Sequence, residues 1–169
     1  MSERKKPIPI VKLSHRLIER TLDALGIPHC RDDDGDIFTV IPSGDSRSDL
    51  LSWFLVDGNI LQLVCTFNAK IPKCDWMAAL LLSNAYHQES RFGRAVVHIR
   101  DGQEEATLSF EAAIDCSGGL NEAFFQTYIV SHVASACRFY TMVQEKFATQ
   151  ILLKNRGFLF FKKWHNLLR

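Results

Sequence analysis

Residues 50–67 read LLSWFLVDGNILQLVCTF. Two runs rich in apolar, β-branched and aromatic residues, Leu50 to Val56 and Ile60 to Phe67, flank Asp57-Gly58-Asn59. A short Gly-containing link between two such runs predicts an antiparallel hairpin. Working upstream, Ile37 to Ile41 is a third run of the same kind, joined through the loop Pro42 to Ser48. Before it, Leu17, Ile18, Thr21, Leu22 and Leu25 recur at helical spacing, which predicts a helix from Ile10 to Leu25 that Gly26 and Pro28 stop. Working downstream, Pro72 opens a helix over Trp76 to Gln88, with Asp75 in its first turn, where a negative charge suits the dipole. Phe92 to Arg100 and Glu105 to Asp115 flank Asp101-Gly102 as a second hairpin, in which Thr107, Ser109 and Glu111 alternate with Leu108, Phe110 and Ala112. Ser117 to Gly119 break the chain before a last long helix, Leu120 to about Phe147. The expected class is therefore α+β, in the order α-β-β-β-α-β-β-α, with an antiparallel sheet packed by helices. It forms a single domain over residues 10–147, between a basic N-terminal extension, 1–9, and a basic aromatic C-terminal tail, 148–169.

Two of these helices carry more apolar surface than one sheet can cover. Leu80, Leu81 and Leu82 point in three directions at 100° per residue. From Ala123 to Gln144 the only charged side chain is Arg138, and Phe125, Tyr128, Ile129, Val133, Phe139, Tyr140 and Val143 fill a wide arc. A membrane span is excluded by Gln126, Ser131, His132, Ser135 and Arg138 inside that stretch, since a central Arg alone costs about 2.5 kcal/mol or more on insertion. The surplus predicts a homodimer or a bound partner segment, with these seven residues and Leu81 and Leu82 as the interface.

Composition removes several function classes. The chain has 169 residues, of which 47% are hydrophobic and 23% charged, so collagen-like and wholly disordered chains are excluded. A single domain of this size buries ~70% of its unfolded surface and needs no metal or disulfide to fold. Five cysteines, Cys30, Cys65, Cys74, Cys116 and Cys137, stand too far apart for a CxxC pair or a zinc ribbon. They read as reduced thiols, Cys74 and Cys116 in the core and Cys30 the most exposed. The only apolar run near the N-terminus, Ile8 to Val11, is shorter than the about 7 residues a secretory signal requires, so a cytoplasmic location is expected. Charge is uneven. All 19 acidic residues lie at or before Glu145 with 14 basic ones, a net −5, whereas residues 146–169 hold six Lys or Arg and no acid. An acidic body is a poor nucleic-acid footprint, so no nucleic-acid partner is expected.

Residues able to do chemistry are present but not assembled by spacing. Asp32-Asp33-Asp34-Gly35-Asp36 places Ile37 at position 6 and Ser43 at position 12 of a would-be calcium loop, which breaks the pattern. The segment reads as a solvated turn. Cys74 with His87, Cys116 with His98 and Cys30 beside His29 sit in no nucleophile or metal signature, and no phosphate-binding glycine motif occurs. No catalytic, cofactor or metal residue is assigned, and a small Cys/His enzyme is the weakest of the function classes. In the tail, Lys154, Arg156, Lys162 and Lys163 interleave with Phe158, Phe161 and Trp164. That mixture suits an anionic membrane surface, single-stranded nucleic acid or an acidic protein groove; otherwise the segment covers the acidic body itself or frays.

Leu50-Leu51-Ser52-Trp53-Phe54 leading into Asp57-Gly58, Ile71-Pro72 opening the Trp76 to Tyr86 helix, and Arg91-Phe92-Gly93-Arg94 entering the next strand together resemble the YbjN-type "putative bacterial sensory transduction regulators", in particular their cyanobacterial members. The resemblance spans about residues 10–147 and implies the type III secretion chaperone-like fold. It also implies a non-enzymatic protein-binding module, dimeric as its chaperone relatives are, which holds a partner polypeptide along its sheet and helices.

Overall fold

A computed structural model of the chain describes residues 9–41, 50–90 and 92–154. The first helix, α1 (His15–Ala24), starts later than its periodicity suggests because Ser14 caps it, its Oγ accepting from the Leu17 N–H at 3.2 Å. Ile10–Val11, read as helix from sequence, is instead a short strand, β1, as its β-branched residues favour. At the other end Gly26 takes φ +66°, and the Ile27 N–H reaches back to Leu22 O at 2.9 Å and the Gly26 N–H to Asp23 O at 3.0 Å. This paired closure is the left-handed Schellman stop.

Six strands form one antiparallel sheet. In chain order they are β2 (Cys30–Arg31), β3 (Ile37–Ile41), β4 (Leu50–Asp57), β5 (Ile60–Pro72), β6 (Arg94–His98) and β7 (Glu105–Asp115), and in space they run β2-β3-β4-β5-β7-β6. The β4–β5 turn needs only two residues, with Asp57 paired to Ile60 and Gly58 at φ +58° in the first central position, as a type II′ turn requires. β5 outruns its predicted end at Phe67, continuing to Pro72 through a register shift between Thr66 and Lys70. Such a bulge keeps a long strand paired while it twists. A separate two-stranded sheet joins β1 to β8 (Leu120–Asn121), a strand too short for periodicity to reveal.

The second helix, α2 (Trp76–Glu89), follows one 3₁₀ turn, and the Trp76 indole N–H donates to Ile71 O at 3.1 Å. The last, α3 (Glu122–Lys154), contains a kink at Phe147, where φ is −119° and ψ 21°. All three helices pack on one sheet face over two adjoining apolar clusters. In one, Leu17, Ile18 and Leu22 meet Phe54, Leu63, Phe125 and Ile129; in the other, Tyr86 meets Phe67, Phe110, Phe139 and Phe147. The eight long elements thus follow the expected α-β-β-β-α-β-β-α order, with β1, β2 and β8 added.

The predicted interface is largely internal. Phe125, Ile129, Phe139, Tyr140 and Val143 are each at most 2% exposed, and they are covered by the sheet together with α1 and α2. The expectation that they face a second chain is corrected on that ground, because a side chain sealed in its own core cannot contact another. Tyr128, Val133 and Leu82 are half-buried. Leu81, by contrast, is 62% exposed, in a charge-free stripe with Met77 and Leu80 on the outer side of α2. The expectation that α2 is covered on more than one side is not met among the described residues, since only Ala79, Ser83 and Tyr86 of it are buried.

Candidate interaction face

Alternation along the strands sends one set of side chains to the helices and the other set to the opposite face. The register aligns that second set into rows. Phe38, Trp53, Val64, Glu111 and Arg94 stand side by side across β3, β4, β5, β7 and β6, and Val40, Leu51, Thr66, Ser109 and Val96 form the next row. Phe38 and Trp53 are in ring contact at 5.0 Å, and Leu55 extends the apolar part. The helices lie on the other side, so among the described residues no helix covers these rows, whose apolar members are half-buried.

The face changes character from β5 to β7. Glu111 Oε2 accepts from Arg94 Nη2 at 2.9 Å, and Glu111 Oε1 accepts from the Ser109 hydroxyl at 2.8 Å. The Ser109 proton is thereby committed, so His98 Nε2, 2.7 Å from Ser109 Oγ, is the donor in that contact. Glu111 keeps only 11% of its side chain exposed while Arg94 keeps 67%. The carboxylate is thus a fixed feature of the face, and the guanidinium can leave it for a partner at little cost. The alternation of Thr107, Ser109 and Glu111 predicted their side of the sheet, but not that Ser109 and Glu111 would be buried there.

A second polar group lies on the helix side, where α3 crosses β4 and β5. The Cys65 thiol donates to Ser52 Oγ at 3.3 Å and meets His132 Nε2 at 3.4 Å. His132 Nδ1 has no partner, which fits a neutral ring protonated at Nε2. Burial drives both groups away from reactivity: it pushes the Cys65 thiol up to about 12 and lowers His132 to about 4. A thiol so raised is a poor nucleophile at neutral pH. Sequence spacing had no means of finding this Cys/His pair, whose members are 67 residues apart. Cys116 with His98 and Cys74 with His87, which sit in no signature in the sequence, are not brought together either. Cys116 follows the end of β7 opposite to the one that His98 pairs with, and His87 Nε2 accepts the Ala95 N–H at 2.8 Å.

Cys74 is exposed and Cys30 half-buried, which reverses the expected order of these two thiols and moves Cys74 out of the core; it sits in the 3₁₀ turn, with no apolar strand or helix face to bury it. Cys116 is buried as expected. Among the described residues no group of three or more His, Cys, Asp or Glu is placed to hold a metal ion, and no helix is long and apolar enough to cross a membrane. Of the predicted tail site, Lys154 closes the backbone of α3, while Arg156, Phe158, Phe161, Lys162, Lys163 and Trp164 lie outside the described residues.

A six-stranded antiparallel sheet with its helices on one side and a graded apolar-to-charged surface on the other defines a two-layer α+β protein. The family described as "putative bacterial sensory transduction regulator", YbjN, matches residues 14–145, and the chain belongs to it. Its fold is similar to the crystal structure of YbjN from E. coli, described as a putative transcription regulator, with a TM-score of 0.65 and 12% identity over 78% of this chain and 91% of that one. No curated protein matches the chain.

Proposed function

We propose that this protein is a non-enzymatic regulatory module of the cytoplasm that holds a partner polypeptide on the open face of its sheet. The observation that carries the reading is the row Phe38, Trp53, Val64, Glu111, Arg94, in which an apolar floor runs into an anchored carboxylate and a movable guanidinium. Apolar surface rimmed by oriented charge is the anatomy of a protein-binding patch. Membership of a family of regulators supports a role in signalling, and the net −5 of residues 1–145 favours action through a protein over direct contact with nucleic acid. Self-association, where it occurs, falls to the exposed Met77, Leu80 and Leu81 stripe.

Photo-crosslinking in the host cell tests the reading. A photoreactive residue at Val64 is expected to capture a discrete polypeptide that one at Asn84, on the outer side of α2, does not. Capture from position 84 alone, or from neither, would overturn it.

A further inference from the structure

The two edges of the sheet are finished differently. The β2 edge is two residues long and carries the Arg31–Glu19 ion pair at 2.7 Å. The β6 edge is five residues long and pairs with β7 alone. Its centre, Ala95-Val96-Val97, has no proline, bulge or charge to discourage a further strand.

A single side chain guards it. The Ala95 N–H donates to His87 Nε2 at 2.8 Å and so points away from β7. By the alternation of an antiparallel ladder, the Ala95 C=O and both backbone polar groups of Val97 point the same way. Among the described residues no strand meets them. His87 lies in the last turn of α2, and its Nε2 stands where the carbonyl of an added strand would accept. The ring is exposed, and exposed side chains change rotamer readily, which vacates that place.

The edge also selects its occupant. From Arg94 to Arg100 the chain reads RAVVHIR, with two arginines and no acid. Arg94, 67% exposed, gives Glu111 one bond through Nη2, and a guanidinium has five N–H donors. Past the turn, Glu104 and Glu105 are already paired with Lys73 and Lys70. A second copy of this edge would bring arginines and none of the carboxylates that complement them, so the fitting strand is an acidic one from another chain. Arg94, Val96 and His98 share the open side of the sheet, so alternate side chains of that strand stand beside them.

We propose that the β6 edge docks an extended segment of the partner polypeptide as an added strand, with an acidic side chain beside Arg94 and an apolar one beside Val96, and that His87 swings off the Ala95 N–H to admit it. Main-chain bonds hold such a strand and its alternate side chains set its specificity. The inference rests on the partner-binding reading above and names the edge at which the partner enters.

Amide hydrogen exchange of the full chain, with and without the synthetic peptide acetyl-Thr-Glu-Thr-Val-Thr-Glu-Thr-amide, tests it. The peptide is expected to slow exchange of the Val97 N–H several-fold. His87→Ala is expected to tighten binding several-fold and to extend the protection to the Ala95 N–H. Lysine in place of both glutamates, or N-methylation of the two threonines beside the valine, is expected to abolish the effect. No protection in either protein, equal protection by all three peptides, or weaker binding by His87→Ala overturns the proposal. Photo-crosslinking separates it from the open-face reading, with photoreactive residues at Val64 and at Ile99, which is 41% exposed just past β6. Capture from 64 without peptide protection removes only the added strand, whereas capture from 99 with the expected protection and none from 64 removes only the open face.

Discussion

The Sγ atom of Cys65 lies 3.4 Å from Nε2 of His132, inside the layer between sheet and helices, where His132 is 1% exposed. Burial holds the imidazole neutral and lowers its pKa from 6.5 to about 4. A base that is harder to protonate when folded binds more protons when unfolded, so stability rises with pH across this window. The full contribution is present above pH 6.5 and is lost as the pH falls toward 4. At about 1.4 kcal/mol for each pH unit of displacement, the loss amounts to about 3 kcal/mol. Urea titrations at pH 7 and pH 4 should show this difference, and His132→Phe should flatten it.

Thiol order follows from the same burial. Iodoacetamide at pH 8 should label Cys74 first and leave Cys65 unmodified until the chain unfolds, since Cys74 is exposed and the Cys65 thiol is pushed up to about 12. Peptide mapping after timed labelling reads the order directly. Early modification of Cys65 would contradict the description of its surroundings.

Glu111 and Arg94 form one ion pair with unequal consequences. Arg94→Ala removes an exposed partner and should cost less than about 1 kcal/mol. Glu111→Ala strips the Ser109 hydroxyl of its acceptor in a buried position and should cost about 1–3 kcal/mol. Denaturation midpoints of the two variants separate them.

Gly93 is held at φ +68°, and a Cβ there would stand 2.5 Å from the buried Phe110 ring. Gly102, at φ +75°, has open space around it. Gly102→Ala should therefore cost only the left-handed strain of about 1 kcal/mol, and Gly93→Ala about 2–4 kcal/mol once overpacking is added. Thermal melts should rank them in that order.

Leu81→Glu should leave folding intact, since the side chain is 62% exposed, and should dissociate any dimer built on α2. Phe139→Glu should instead unfold the chain, because its ring is fully buried. Light scattering of the first variant and circular dichroism of the second report the two outcomes.

Much of this architecture could be read from local chemistry. Period-two alternation assigned Leu108 and Phe110 to the core side of β7, and the Gly58 turn set the β4–β5 register. What alternation and helical arcs do not carry is the number of covering neighbours. The width of the α3 arc points to a second subunit only if one sheet is its sole cover, whereas Tyr86 of α2 meets Phe139 at 5.2 Å and donates its hydroxyl to Ser135 O at 3.1 Å. β1 and β8 escaped notice because two-residue strands have no period, and their pairing joins positions more than a hundred residues apart. The Ser52, Cys65 and His132 contact is invisible for the same reason: it depends on three elements meeting.

The neighbour relations of the sheet also bear on the order of assembly. β3, β4 and β5 are successive hairpin partners, and β6 and β7 are another local pair, but β5 meets β7 only after α2 and β6 have been bridged. Local pairings close small loops and form early, while the β5–β7 seam closes a larger one. The N-terminal meander can therefore mature while the ribosome is still making the second hairpin, and the barrier to folding falls at the seam. Destabilising substitutions along that seam, such as at Leu63 or Phe110, should slow refolding, whereas equally costly ones in α1 should mainly speed unfolding.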